Sequence, residues 1–195
     1  MELQHDSDND NLDTNNVYAV LHYEGAPDAE PTTPAKWKFN GIQYQSPSVP
    51  TLLQIISGAT NPADFTTSEH TLVLNHNEIV EIHLHGSANG HVHPFHLHGH
   101  AFDVVQGNSG PINYVNPPRR DVVGIQGGTG IIRFKADNPG PWFLHCHIDW
   151  HLEAGLAVVF AEAPAEQRSG PNAQIIKQEW LDLCPIYDAL PADQK

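Results

Sequence analysis

Two short segments hold most of the residues in this chain that could do chemistry. Ten of its 14 histidines lie between His83 and His151. The first segment is HPFHLHGH, residues 93–100, and the second is HCHIDWHLEAGL, residues 145–156. Imidazole nitrogen and thiolate sulfur are ligands for transition metals. Side chains alternate faces along an extended strand. Extended backbone therefore puts His96 and His98 on one face and leaves His93, three residues before His96, on the other. In the second segment His145 and His147 share a face, and Cys146 points away. Two sets result: His93 with Cys146, and His96, His98, His145 and His147.

The first set gains a third member from the spacing C-x4-H-x4-L, which joins Cys146, His151 and Leu156. A cysteine at a strand end, followed by a loop that brings back a histidine, makes a His2Cys site with His93. Two imidazoles and one thiolate, with a weak or missing axial ligand, are the donor set of a mononuclear type 1 copper centre. Leu156 stands where an axial methionine would, and leucine cannot coordinate. The missing thioether disfavours Cu(II) against Cu(I) and should raise the reduction potential. The second set is four imidazoles, which suit copper, zinc or iron alike. The adjacent thiolate favours copper, because His145 and His147 are its immediate chain neighbours. Structural zinc prefers two or more cysteines in paired spacing, and Cys146 has no such partner nearby.

Other candidates have plainer readings. His83 and His85 alternate with Val80, Ile82 and Leu84, so they read as outer-face strand residues, although H-x-H is also a ligand spacing. His91 and His100 read as loop or supporting groups, and His5, His22, His70 and His76 as solvated. Asp149 and Glu153 flank the second segment. They either orient ligand imidazoles and relay protons or pair with Arg119 or Arg120. Trp150 reads as packing.

These segments need elements to hold them. The chain has 195 residues, enough for one domain with a real core. With 15 Gly and 16 Pro a helical bundle is disfavoured. KFNGIQY carries an Asn40-Gly41 hairpin signal. TLLQIIS, HTLVLN, EIVEIHLH, HAFDVVQ, DVVGIQ, GIIRFKA, WFLHCH and LAVVFAE read as further short strands between turn residues. This predicts an all-β, Greek-key β-sandwich or barrel with short helices. One helix is expected near the C-terminus, capped by Asn172, striped by Ile176, Trp180 and Leu183, and stopped by Pro185. Residues 1–16 are polar and acidic and read as a disordered end. Val17–Tyr23 is a short β-type run before a Pro-rich stretch. The expected organisation is a loose start over 1–16, a strand and linker over 17–35, a copper-binding domain over 36–163 and a helical tail over 164–195. Nine Lys+Arg against 23 Asp+Glu give a net charge of −14. That charge argues against nucleic acid and anionic membranes as partners. The first residues show no signal-peptide pattern, and two cysteines cannot form a disulfide scaffold.

With the motifs in view, the chain resembles the multicopper oxidases, and within them the fungal laccases. HPFHLHGHAF and HCHIDWHLEAGLAVVFAE are similar to the family's two C-terminal copper motifs. PTLLQIISGA, NPPRRDVV, IIRFKADNPGPWFLHCHID and WLDLCPIYDAL are laccase-like as well. The resemblance implies a cupredoxin (plastocyanin-like) fold, with residues 17–35 as the remnant of a preceding cupredoxin domain and its linker. It implies type 1 copper on His93, Cys146 and His151, with Leu156 axial. It further implies type 2 copper on His96 and type 3 copper on His98, His145 and His147. The implied activity is oxidation of phenols or aromatic amines, entering at His151, coupled through Cys146 to reduction of O2. Asp149 is the candidate proton relay. The implied location is extracellular. The family's trinuclear cluster takes eight histidines, and this chain has four of them. The resemblance implies that the missing N-terminal laccase domains, or self-association, complete the site. A stand-alone blue-copper electron carrier and an inactive truncated laccase are the alternatives. Cys184, which in the family pairs with a first-domain cysteine, is left as an orphan thiol or a buried free cysteine.

Overall fold

The structure is a computed structural model, and it describes residues 4–5, 16–24, 37–86 and 91–194. Its strands are β1 (Gln4–His5), β2 (Asn16–Glu24), β3 (Lys38–Phe39), β4 (Thr71–Leu74), β5 (Ile79–His85), β6 (His93–Leu97), β7 (Phe102–Gln106), β8 (Arg119–Arg120), β9 (Val122–Ile125), β10 (Thr129–Lys135), β11 (Gly140–Cys146) and β12 (Ala157–Glu162). Among the described residues they form two mixed sheets. One runs β1-β2-β5-β10-β7-β8 with β3 added to β2, and the other runs β4-β12-β11-β6-β9. The pairs β2–β5 and β4–β12 are parallel, and the others are antiparallel. This is the all-β sandwich expected from the strand pattern.

Alternation builds the core. Val80, Ile82 and Leu84 of β5 point inward, as do Ile132 and Phe134 of β10. They meet Phe95, Leu97, Leu144, Val158 and Phe160 of the second sheet in one cluster. Each such side chain contributes about 1.5–3 kcal/mol of burial. The Asn40-Gly41 signal gives the expected tight turn, with both residues at positive φ (49° and 76°) and Phe39 bridged to Ile42.

Three readings change. TLLQIIS is not a strand but helix α1 (Thr51–Ser57), entered from Pro50 and ended by Gly58 at φ 132°. β12 is buried on both faces, and Ile55 of α1 joins Phe65 in covering Ala161. Tertiary demand thus outweighs the β-branched pair Ile55-Ile56. The C-terminal helix is two short pieces, α3 (Gln178–Leu181) and α4 (Leu183–Asp188), entered at Lys177 rather than Asn172. Pro185 lies in the first turn of α4 instead of ending it. Its missing N–H removes the bond to the Leu181 carbonyl, which breaks the helix at Asp182. His70 is not solvated but 4% exposed, and His76 is half-buried against Glu166 at 2.7 Å. The β-type run Val17–Tyr23 does form a strand, within β2, and it places Ala19, Leu21 and Tyr23 in the core. The loose start and the linker lie largely outside the described residues, as do the side chains of His5 and Cys184.

Candidate metal centre

The register of β6 against β11 assembles both histidine sets. Leu97, His96 and Phe95 lie opposite Leu144, His145 and Cys146. His93, Phe95 and Leu97 are buried, while Pro94 and His96 turn the other way. The alternation expected through Pro94 therefore holds. Two backbone bonds extend the pairing beyond the strand ends, from His98 N–H to the Phe143 carbonyl (2.8 Å) and from His147 N–H to the Pro94 carbonyl (2.7 Å).

His151 returns on a one-turn helix, α2 (Asp149–Glu153). The loop after it closes with bonds from Leu156 N–H to the His151 carbonyl and from Cys146 N–H to the Leu156 carbonyl. His93 and His151 are 0% and 2% exposed, and Cys146 and Leu156 are both at 0%. Cys146 Sγ lies 3.3 Å from His151 Nδ1 and 3.7 Å from His93 Nδ1, and the two nitrogens are 3.2 Å apart. A point equidistant from these three atoms is about 2 Å from each, a normal bond length from imidazole or thiolate to a transition ion. The donor set therefore fits a small, soft-ligand metal. Among the described residues it is the one group of three or more such side chains whose donor atoms all close to within 4.8 Å. Burial pushes the Cys146 thiol up to about 11, so the metal-free thiol keeps its proton and must lose it on metal binding.

Aromatic rings wall this pocket. Trp37, itself 1% exposed, lies 4.2 Å from the His151 ring and 4.8 Å from His93. Tyr23 lies 5.1 Å from His93, and Trp150 covers His151 at 3.8 Å. Trp37 is pinned by its backbone N–H, which donates to the Ala154 carbonyl, next to Gly155. Gly155 sits at φ 106°, where a Cβ would strike Gln43. The motifs do not point to Tyr23 or Trp37, which lie 56 residues or more before His93 and reach it only through the fold. The one available signal was parity: Tyr23 shares its strand face with Ala19 and Leu21.

The second set is open. Ring centroids are 4.8 Å apart for His96–His98, 5.8 Å for His96–His145, 5.7 Å for His96–His147, 5.1 Å for His98–His145 and 5.6 Å for His145–His147. His145 is buried, His96 half-buried, and His98 and His147 are exposed. Backbone carbonyls select tautomers. His96 Nδ1 donates to the Asp121 carbonyl (2.8 Å) and His145 Nδ1 to the Cys146 carbonyl (2.9 Å). Each then keeps its lone pair on Nε2. The His145 Nε2 accordingly accepts from His98 Nε2 at 3.0 Å. Burial, reinforced by neighbouring imidazoles, holds His98 and His145 below the usual histidine range, so both stay neutral near pH 7.

The structure leaves some candidates apart. Asp149 and Glu153 are exposed on α2. Arg119 lies 3.6 Å from Asp103 rather than pairing with either of them. His100 turns to buried Glu162 at 2.7 Å, away from the four-imidazole face. His83 and His85 do lie on the outer face of β5, half-buried.

The comparisons with known proteins agree with this geometry. The sequence pattern of the multicopper oxidases matches residues 44–166, which contain all seven ligand candidates and Leu156. Laccase-1 of Agaricus bisporus is 56% identical over 83% of this chain and 31% of its own length. Laccase-2 of the same organism is 46% identical over 93% of this chain and 42% of its own length. Among solved structures, the multicopper oxidase Fet3p, described as functioning in iron import, superposes with TM-score 0.76 at 34% identity over 88% of this chain and 36% of that one. The laccase from Botrytis aclada does so at TM-score 0.73 and 32% identity over 90% and 33%. The chain thus spans well under half the length of these relatives. A His2Cys pocket beside a four-imidazole face, on this sandwich and with these relatives, makes the chain a member of the multicopper oxidase family, on its fungal laccase branch.

Proposed function

We propose that this chain carries a complete type 1 copper site and half of a trinuclear copper site of a laccase-type oxidase. The observation that carries the reading is the closed, buried His93–Cys146–His151 triangle placed one residue from the imidazoles of His145 and His147. His93 Nδ1, Cys146 Sγ and His151 Nδ1 would hold the type 1 ion, and Leu156, buried beside them, would offer it no donor atom. His96 would hold type 2 copper, and His98, His145 and His147 would hold type 3. Copper, when bound, supplies one-electron oxidation of phenols or aromatic amines and reduction of O2 to water.

The chain's own residues do the positioning. The aromatic wall of Tyr23, Trp37 and Trp150 excludes water from the triad. The Asp121 and Cys146 carbonyls present Nε2 of His96 and His145 outward. Asp149, exposed one turn away, is the candidate for proton delivery. The relatives' extra length supplies the remaining ligands, or a second copy does. The same relatives suggest an extracellular setting. No helix among the described residues is long and apolar enough to cross a membrane.

The test is copper per monomer, with visible and electron paramagnetic resonance spectra. One tightly held copper with a strong blue band is the expected result for the isolated chain. Three or four coppers per monomer with oxygen uptake would overturn the half-site reading. A second reading, a stand-alone electron carrier, draws on the triad being complete within this chain. It leaves the four-imidazole face without a use, and it predicts that adding the rest of a relative restores no oxygen uptake.

A further inference from the structure

A third group of imidazoles lies on the opposite side of the sandwich from the open face. β2 and β5 run parallel, with His22 directly beside His85 in register. Ala19, Leu21 and Tyr23 point into the core, so His22 points out. Val80, Ile82 and Leu84 point in, so Glu81, His83 and His85 point out. The His22 and His85 rings stack at 4.8 Å with an interplanar angle of 17°. His22 is exposed and His85 half-buried. Neither belongs to the seven ligand positions above.

The surroundings of this pair resemble those of a ligand pair. His85 Nδ1 is engaged by the Thr129 hydroxyl at 3.0 Å. A hydroxyl that accepts from Nδ1–H leaves the lone pair on Nε2, the arrangement by which outer groups orient metal-bound histidines. His83, 6.4 Å from His85 between ring centroids, gives its Nε2 to Glu81 at 2.7 Å. Glu81 in turn accepts from Arg133 Nε at 3.0 Å. That network fixes β5 and β10 beneath the pair. His22 is the adjustable partner: an exposed ring can turn about its χ angles to share an ion with its neighbour. The chain's charge of −14 favours cations at its surface.

We propose that His22 and His85 form a separate two-imidazole site for a divalent transition ion such as Zn2+ or Cu2+, with water completing the coordination. The site clips β2 to β5. One ligand comes from each strand, so binding requires the docked arrangement and stabilises it by mass action. The site uses no residue of the type 1 or trinuclear sets and stands or falls apart from them.

The experiment is equilibrium dialysis of the full chain against Zn2+, comparing it with His22→Ala, His22→Phe and His85→Ala. His22→Phe keeps an aromatic ring on His85 but removes the ligand nitrogen. The expected result is one fewer Zn2+ per chain in all three variants, with unchanged circular dichroism. The same variants, loaded with copper, keep the blue band. Zn2+ isotherms that match the unsubstituted chain in His22→Ala and His22→Phe overturn the proposal. So does a loss in His22→Ala that His22→Phe restores, since that would make the effect one of ring stacking.

Discussion

The buried triad and the open imidazole face draw on neighbouring residues in and beside β6 and β11, with His151 added from α2, yet they differ in almost every physical respect. His93, Cys146 and His151 are sealed by Trp37, Tyr23 and Trp150, and their donor atoms close on one point. His96, His98, His145 and His147 spread over ring separations of 4.8–5.8 Å, with two of the four exposed. The difference arises from strand parity. Inward residues meet a core that the chain itself supplies. Outward residues meet whatever covers the sheet. Side chains built inward are therefore enclosed by the chain itself, whereas those built outward are left partly open.

The sharpest way to test that contrast is Cys146→Ser. The blue absorbance should vanish entirely, while metal uptake at the four-imidazole face persists. Loss of both together would mean that the two regions are one cooperative unit. His145→Ala should do the reverse. The blue band survives, and metal affinity at the open face falls at least tenfold, as judged by competition with a chelator.

His70 isolates burial from metal binding, because it is buried apart from both regions. Burial pushes its imidazole down to about 4 from the ordinary 6.5. The unfolded chain takes up that proton near pH 6.5 and the folded chain only near 4. Stability is therefore complete above about pH 6.5 and declines by about 3 kcal/mol as pH falls to 4. His70→Asn, which tolerates the native φ of 47°, should flatten that part of the denaturation profile.

The smallest effect is expected at Gly99. It sits at φ 72°, and a Cβ there would lie 2.4 Å from the Trp142 ring. Gly99→Ala should cost about 1–3 kcal/mol and loosen the open face through His98. Because His93 lies at the far end of β6, the blue band should stay unchanged. A shifted blue band would show that strain crosses from one region to the other.

Much of this was open to reading in the chain alone. The period of two separates His93 from His96, as the alternating burial of β6 bears out; in β11 the adjacent His145 and Cys146 are both buried, so burial alone does not separate that pair. The Asn40-Gly41 turn and most strands also followed from local chemistry. Helix α1 did not. TLLQIIS has strand-like composition, and only the need to cover β12 makes it helical. The pocket wall escaped too, since nothing near the motifs points to Trp37. The place of β2 in the sheet is likewise a matter of long-range pairing with β5.

The sequence by itself therefore determined which atoms can bind metal and which side of the strand each one faces. Both follow from residue type and from a local backbone period of two. Only the tertiary structure decided that three donors converge while four stay open, that β2 and Trp37 close the pocket, and that His22 meets His85. Those outcomes depend on contacts between residues far apart in the chain, where register and packing carry information that local spacing does not.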